Sequence, residues 1–409
     1  MISGVRYCGG VNASPLSMLG AWIKGPKSDL TNWRQLPGRH VLFTHKGRGA
    51  IALAAKALNL KAGDEVLVPA YNCGAEVEAL VYAGLRVILY RVDSSARIDL
   101  EDAARRKTNR TRALYIIHYF GWAHSLQAAS AWCQRENVLL IEDCALALFS
   151  PGPDGKTGRS GAAAIFSFGK TIPVPDGGML TLRDNAAVAP VPLPTVAIAS
   201  VFGNAMTLSR SYCLQMADRL KFYSGAHTFV RLKQRLFQRR SRRRHHPDIP
   251  PQYAYQGSEG IYSISRLSAG LLSTVSAAQI RETRRKNYTL LLSGIQGTPG
   301  VNVLHADLPP DVCPLQMPIL VGDRRQWMEK LLLRGVHAIP WWQDYTRRDL
   351  SWHEFPEACY LKDHLLALPV HQGLDPSLLN YVARSVRQVS DELHILPRPR
   401  AITKKSQCK

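Results

Sequence analysis

Residues 163–182 read AAIFSFGKTIPVPDGGMLTL. A short apolar run, Ala163–Ser167, leads to a single lysine, Lys170. Pro173 and Pro175 then restrict the backbone, and Gly177 and Gly178 permit angles other residues avoid. A second apolar run, Met179–Leu182, comes next. A lysine without a task belongs on a wet surface with nothing to hold it. Lys170 instead stands between two strand candidates, at the head of a stiff connection.

The same apolar signature recurs upstream. His40–Thr44, Glu65–Pro69, Arg86–Tyr90, Ala113–His118 and Val138–Glu142 read as further strands, several of them continuous apolar runs suited to burial on both faces. Helix candidates lie between them at Gly49–Leu58, Gly74–Ala83 and Ser125–Glu136. This alternation predicts an α/β domain with a mostly parallel sheet flanked by helices. Ligands of such sheets bind beyond the carboxyl ends of the strands, so the residues just after each strand matter most.

After the first strand comes HKGRGAIALAAKAL, residues 45–58. Gly47 and Gly49 allow close backbone approach, and an alanine-rich helix starts at once. Its first turn suits a phosphate; a tight strand-to-helix turn is the other reading. After a later strand comes VLLIEDCALAL, residues 138–148. Glu142 and Asp143 could serve as acid or base, or pair with a cationic ring nitrogen, or Asp143 could cap the next helix. No set of histidine ligands accompanies them, so no metal is expected. A Gly-rich helix start, a strand-end aspartate and a fixed lysine thus occur in one order. They supply the phosphate cradle, ring-nitrogen carboxylate and Schiff-base amine that pyridoxal phosphate requires.

At 409 residues with 46% hydrophobic content, the chain is long enough for two domains. Eight scattered cysteines form no CxxC pair, which favours reduced thiols over a zinc site or disulfide framework. MISGVRYCGG lacks the apolar stretch of a signal peptide, and no apolar run reaches bilayer length. The formal net charge is +21, and Arg219–Arg244 holds ten Lys or Arg and no acid. Arg239–Arg244 could meet an anionic membrane surface or an acidic partner, or form a solvated loop on a helical hairpin. Nucleic acid is not expected, since only this run speaks for it.

Taken together, the motifs resemble those of the DegT/StrS-type sugar aminotransferases, within the aspartate aminotransferase-like (fold type I) superfamily. HKGRGAI corresponds to the phosphate motif, and GDEVLVPAYNCGAEVEALVYAGLRVILYRVD to the long strand–helix–strand block after it. HYFGW, LLIEDCALAL, FSFGKTIPVPDGGML and LALPVHQGLDPSLLNYV correspond to four later elements in the same order. The resemblance implies a pyridoxal-phosphate transferase with a large domain (1–263) and a smaller C-terminal α+β domain (264–409). Residues from about 187 to 262 would be a basic helical insertion. By position, Lys170 would bind the cofactor and move protons, and Asp143 would keep the ring nitrogen protonated. Gly47, Arg48, Gly49 and Ser167 would hold the phosphate. Cys73 stands where the family places a stacking aromatic, with Tyr71 and Asn72 as neighbours that could substitute. Leu146 stands where it places Gln or His, and the Ser167–Lys170 spacing is two residues short.

The resemblance further implies an amino-acid donor such as glutamate, and a keto group on a nucleotide-linked sugar as acceptor. The product would serve surface polysaccharide or secondary-metabolite synthesis. It also implies a homodimer working in the cytoplasm; contact with the inner membrane face would rest on the basic run. A catalytically inactive or regulatory relative is the competing reading. Trp341 and Trp342, just after a predicted strand in GVHAIPWWQ, could wall a substrate site or pack as a core pair. Likewise, His371 could approach the site or order its turn.

Overall fold

The computed structural model describes residues 6–25, 30, 33, 36–184, 193–219, 261–342, 347 and 349–395. Arg239–Arg244, the apolar positions predicted from Leu220 to Leu236, and the tail from Ile402 lie outside these residues.

Seven strands form one sheet: β1 (Arg39–Thr44), β2 (Glu65–Pro69), β3 (Arg86–Tyr90), β4 (Thr111–Ile117), β5 (Leu139–Asp143), β6 (Ala163–Ser167) and β7 (Gly178–Arg183). Their order is β1-β7-β6-β5-β4-β2-β3. Neighbours from β3 to β6 are parallel, whereas β7 runs antiparallel to both β6 and β1. Each of the seven strands predicted between His40 and Leu182 is present, shifted at most two residues at either end. β2 is buried along its whole length, as a strand covered on both faces must be.

The helices Gly47–Ala57 and Ala75–Tyr82 cover one face and share its main apolar cluster with Tyr71, Ile117, Ile141, Ile165 and Leu180. Gln127–Arg135 packs its Ala129, Trp132 and Cys133 against the opposite face, beside Leu67, Leu114 and Leu140. The helix Leu100–Arg106 was not evident in the sequence, being short and charged; Asp99 caps it by accepting from the backbone N–H of Asp102 over 2.8 Å.

A second sheet, antiparallel, joins β8 (Val301–Val303), β9 (Gln316–Val321) and β10 (Leu365–Pro369). The helices Ala277–Ile295 and Pro376–Ile395 close a separate core around Tyr288, Met317, Leu366 and Val382. The N-terminal segment joins this core. Cys8 bridges Val336, donating its N–H to Gly335 O and accepting from His337 N. The strand predicted before Trp341 is reduced to two isolated bridges, Val336 with Cys8 and Ile339 with Ala367. Pro340 interrupts it, since proline cannot donate to a ladder.

The helix Ile198–Arg219 includes the first part of the predicted insertion. Ile198, Phe202 and Met206 are exposed on it, as are Leu16, Leu19 and Ile23 on the helix Pro15–Lys24. No described helix is long and apolar enough to cross a membrane.

Candidate active site

Lys170 ends a 3-10 turn, Phe168–Lys170, directly after β6. The segment behind it is tied on several sides. Thr171 O accepts from Arg284 Nη2 and Gln372 Nε2, each at 3.0 Å. Asp176 Oδ1 accepts from Ser265 N at 2.9 Å, and Gly177 N donates to His45 O at 2.6 Å. The paired glycines have distinct causes. Gly177 adopts φ +129°, and a Cβ there would lie 2.9 Å from Phe168 Cδ2. A Cβ on Gly178 would lie 2.6 Å from Lys46 C and 2.7 Å from Gly47 N. The β7 backbone therefore presses against the start of the helix Gly47–Ala57, and brings the lysine's segment to that helix's first turn.

That helix begins without a side-chain cap at Lys46. A helix start of this kind presents N–H donors and partial positive charge to an anion. Gly47 faces Ser167, whose Cβ would stand 3.4 Å from a Cβ on the glycine. Lys46, Gly47, Arg48, Ser167 and Lys170 all line one cavity of about 440 Å³, within the range of about 300–1,000 Å³ usual for small-molecule sites.

The two acids of LLIED part company because successive strand residues face opposite ways. Asp143 lines the cavity. Its Oδ2 accepts from Tyr115 Oη at 2.7 Å and its Oδ1 from Ala145 N at 2.8 Å. The latter bond closes a turn, and no helix comes directly after Asp143 for it to cap. Burial, then the Asp143 charge, push the Tyr115 hydroxyl well above its usual range, so it remains a donor. Glu142 instead accepts from Gly158 N at 2.7 Å, Gly161 N at 2.6 Å and His118 Nε2 at 3.3 Å. Although burial raises its pKa, the bonds from His118 and the two backbone amides hold it below the ordinary value. His118, Glu142 and Cys144 place ligand-type atoms within 4.8 Å of one another, but Glu142 is thus fully engaged in joining β5 to the loop before β6.

Trp341 and Trp342, which pack with the main apolar cluster of the large sheet, line the cavity too. Lys170 Nζ stands 5.6 Å from the Trp341 ring centroid, and Trp341 Nε1 donates to Gln316 Oε1 at 2.6 Å. Trp342 takes φ +72°, uncommon for a bulky residue. It packs on Tyr71, with ring centroids 4.8 Å apart. Tyr71 is fully buried beneath it and Asn72 bonds to Pro69 O and Gly74 N. Neither supplies the stacking ring expected near Cys73; the cavity's aromatic surface is tryptophan. Cys73 lines the wall, as does Leu146, whose side chain offers no polar atom. Gly49 sits buried inside the helix's first turn.

His371 lines a second cavity, of about 540 Å³, which shares Lys170, Ile339, Pro340 and Trp341 with the first. Its Nε2 donates to Gly9 O at 2.7 Å while Nδ1 accepts from Gly373 N at 3.2 Å. It orders its turn and ties down the N-terminal segment.

The sequence profile of the DegT/DnrJ/EryC1/StrS aminotransferases matches residues 33–244, about half of the chain. The chain belongs to this family. A GDP-perosamine synthase of Vibrio cholerae is 32% identical over 153 residues, 37% of this chain and 42% of that protein. A dTDP-4-dehydro-2,3,6-trideoxy-D-glucose 4-aminotransferase of Saccharopolyspora spinosa is 32% identical over 147 residues, 35% of this chain and 38% of that protein. The matched stretch thus spans about two fifths of the length of these curated relatives. The fold extends further. The aminotransferase TlmJ of Streptoalloteichus hindustanus superposes over 94% of this chain and 93% of its own, with TM-score 0.63 at 19% identity. PseC of Helicobacter pylori, an aminotransferase of pseudoaminic acid biosynthesis, superposes over 95% of this chain and 100% of its own, with TM-score 0.67 at 15% identity.

The residues present fit pyridoxal phosphate. A helix start and Ser167 offer an anion cradle at one end of the cavity, and Asp143 offers a carboxylate held by two donors. Lys170 offers an amine on a rigid turn. Glu76, which also lines the cavity, escaped the sequence reading. The signal for it was a pair of acids, Glu76 and Glu78, inside the otherwise apolar CGAEVEALV.

Proposed function

We propose that this chain is a pyridoxal-phosphate aminotransferase that moves an amino group from an amino acid, glutamate in the first instance, to a keto group on a nucleotide-linked sugar. The observation that carries the reading is the convergence of Lys170, Asp143, Gly47, Arg48 and Ser167 on one cavity. When bound, the cofactor supplies an aldehyde to take up the amine and a ring that stores the electrons released at carbon. The protein's part is set by position. The first turn of Gly47–Ala57, with Ser167, binds the phosphate. Asp143, oriented by Tyr115 and Ala145, holds a proton on the ring nitrogen. Lys170 takes the proton from the donor's α-carbon and returns it on the acceptor side. Trp341, against the lysine, excludes water from that transfer.

The second cavity, on the far side of Lys170 and Trp341, is where the acceptor would extend. The curated relatives named for GDP- and dTDP-linked sugars support a nucleotide-sugar acceptor. In this reading the working unit is a homodimer, supported by the exposed apolar side chains of Pro15–Lys24 and Ile198–Arg219. It works in a reducing cytoplasm, supported by seven free thiols among the described residues, and makes amino sugars for polysaccharides or secondary metabolites.

The test is an absorbance spectrum with added pyridoxal phosphate, followed by glutamate and a panel of nucleotide-linked keto sugars. The reading expects a visible band, its loss on adding glutamate, and 2-oxoglutarate in proportion to aminated sugar. A protein that forms no band, or forms one that glutamate leaves untouched, would overturn it.

A further inference from the structure

The proposed function uses only the exposed apolar face of Ile198–Arg219. On the opposite face, Ser211, Gln215 and Asp218 follow one another at helical spacing. That face grips the N-terminal segment. Asp218 is buried; its Oδ2 accepts from Arg6 Nε at 3.1 Å and its Oδ1 from Tyr7 N at 3.2 Å. Gln215, also buried, accepts from Asn12 Nδ2 at 2.6 Å and donates to Gly373 O at 2.5 Å. Tyr7 Oη adds a bond of 3.4 Å to Ser211 Oγ.

The gripped segment is a wall of the second cavity. Gly9, Gly10 and Val11 line that cavity, between the anchors at Tyr7 and Asn12. The smaller core holds the same strap from its other side. Cys8 N donates to Gly335 O at 2.9 Å, His337 N donates to Cys8 O at 3.0 Å, and His371 Nε2 donates to Gly9 O at 2.7 Å. A Cβ at Gly9 would strike the Tyr7 hydroxyl, whereas Gly10 has nothing within 4 Å of a would-be Cβ. The wall at Gly10 is thus bare backbone with open space before it. Paired glycines carry little order of their own, so the order of this wall comes from its anchors. The Arg6–Asp218 pair is the strongest of these, a charged hydrogen bond to a buried carboxylate that a backbone amide also holds.

We propose that Asp218 and Gln215 are positioning residues of the acceptor site, holding the strap Arg6–Asn12 as the wall against which the acceptor binds. The inference rests on reading the second cavity as the acceptor's. Donor and acceptor share Lys170, but only the larger acceptor extends to the strap. A strap cut from its anchors must be ordered anew whenever an acceptor binds, and that ordering lowers acceptor affinity. The helix Ile198–Arg219 therefore sets how firmly the acceptor is held and leaves the donor half of the reaction alone.

The experiment uses the full chain loaded with pyridoxal phosphate, as wild type, Asp218→Asn and Gln215→Ala. Three quantities are read. One is the KM of whichever keto sugar in the nucleotide-sugar panel is turned over fastest. Another is the rate at which glutamate alone removes the visible band. The third is hydrogen exchange at the backbone amides of Tyr7–Asn12, which reports the strap without any turnover. Each variant is expected to speed that exchange and to raise the acceptor KM by about five- to tenfold, the worth of one hydrogen bond, with the glutamate rate within about twofold of wild type. Should Asp218→Asn fail to fold, Asn12→Ala cuts the second anchor from its half-buried side and carries the same comparison. A glutamate rate that falls as far as the acceptor step would reduce the role to general stability and overturn the proposal. So would freed amides with an unchanged acceptor KM, or amides as protected as in the wild type. A wild type that glutamate converts but that turns over no keto sugar would sink the acceptor reading of the second cavity, and this inference with it, while the cofactor reading stood.

Discussion

Tyr115 Oη donates to Asp143 Oδ2 over 2.7 Å, from the neighbouring parallel strand and in full burial. The bond orients a carboxylate that Ala145 N grips by its other oxygen. Removing the hydroxyl leaves a buried charge with one donor fewer, which costs about 1.5–3 kcal/mol when the acceptor is ionised. Tyr115→Phe is expected to weaken pyridoxal phosphate binding by about tenfold or more while the apo protein still unfolds cooperatively. Titration at neutral pH measures it, and an unchanged affinity would detach Asp143 from the cofactor.

Lys170 is expected to be irreplaceable. Lys170→Ala removes the proton carrier, and Lys170→Arg keeps the charge but cannot release a proton near neutrality. Both should lose turnover by at least about a hundredfold, the lower end of what general acid–base groups contribute. Steady-state 2-oxoglutarate release reads it; turnover surviving in the alanine variant would place the chemistry elsewhere.

Two glycines should respond in opposite directions. Gly178→Ala drives a methyl group into the Lys46–Gly47 backbone and should destabilise the protein by about 1–3 kcal/mol. Gly203 lies within Ile198–Arg219 with nothing within 4 Å of its would-be Cβ. Gly203→Ala should stabilise by about 0.5–1 kcal/mol. Urea unfolding of the pair checks both signs.

Acid should destabilise the fold through three buried histidines. Burial lowers His371 and His305 from 6.5 to about 4, and His124 to about 3. Each stays neutral in the native state while the unfolded chain takes up a proton below about pH 6.5, so the unfolded state binds more protons. Stability is therefore expected to fall as pH drops from 6.5, at up to about 1.4 kcal/mol per pH unit for each histidine, the share of His371 and His305 levelling off below about 4 and that of His124 below about 3. Protonating His371 would also set a second N–H against the N–H of Gly373. His371→Gln should flatten the slope measured by urea unfolding across that window; an unaltered slope would assign the acid sensitivity to other groups.

The large sheet was legible because its strands are local, continuous apolar runs between short helices, and strand ends mark ligand positions in such sheets. Lys170, Asp143, Gly47 and Ser167 could be named from those ends. The smaller sheet was not legible. β8 is three residues long, and the antiparallel pairing of β9 with β10 joins segments far apart in the chain. The strand expected before Trp341 failed at Pro340, where one missing donor outweighed the apolar pattern.

By itself, the order of residues along this chain determined the parallel core, the position of the lysine between two strands and the stiffness of PVPDGG. Those properties depend on backbone freedom and on periodicity within a few residues. Only the tertiary structure decided which way each side chain acts. Strand alternation sent Asp143 to the cavity and Glu142 into the loop amides. The turn of Ala75–Tyr82 brought Glu76 to the cavity that Asp143 lines, and the chain's return to the main apolar cluster delivered Trp341 to Lys170 across much of the sequence. The physical reason is that burial and charge at a point in space are summed over segments that do not know of one another until the chain has closed around them.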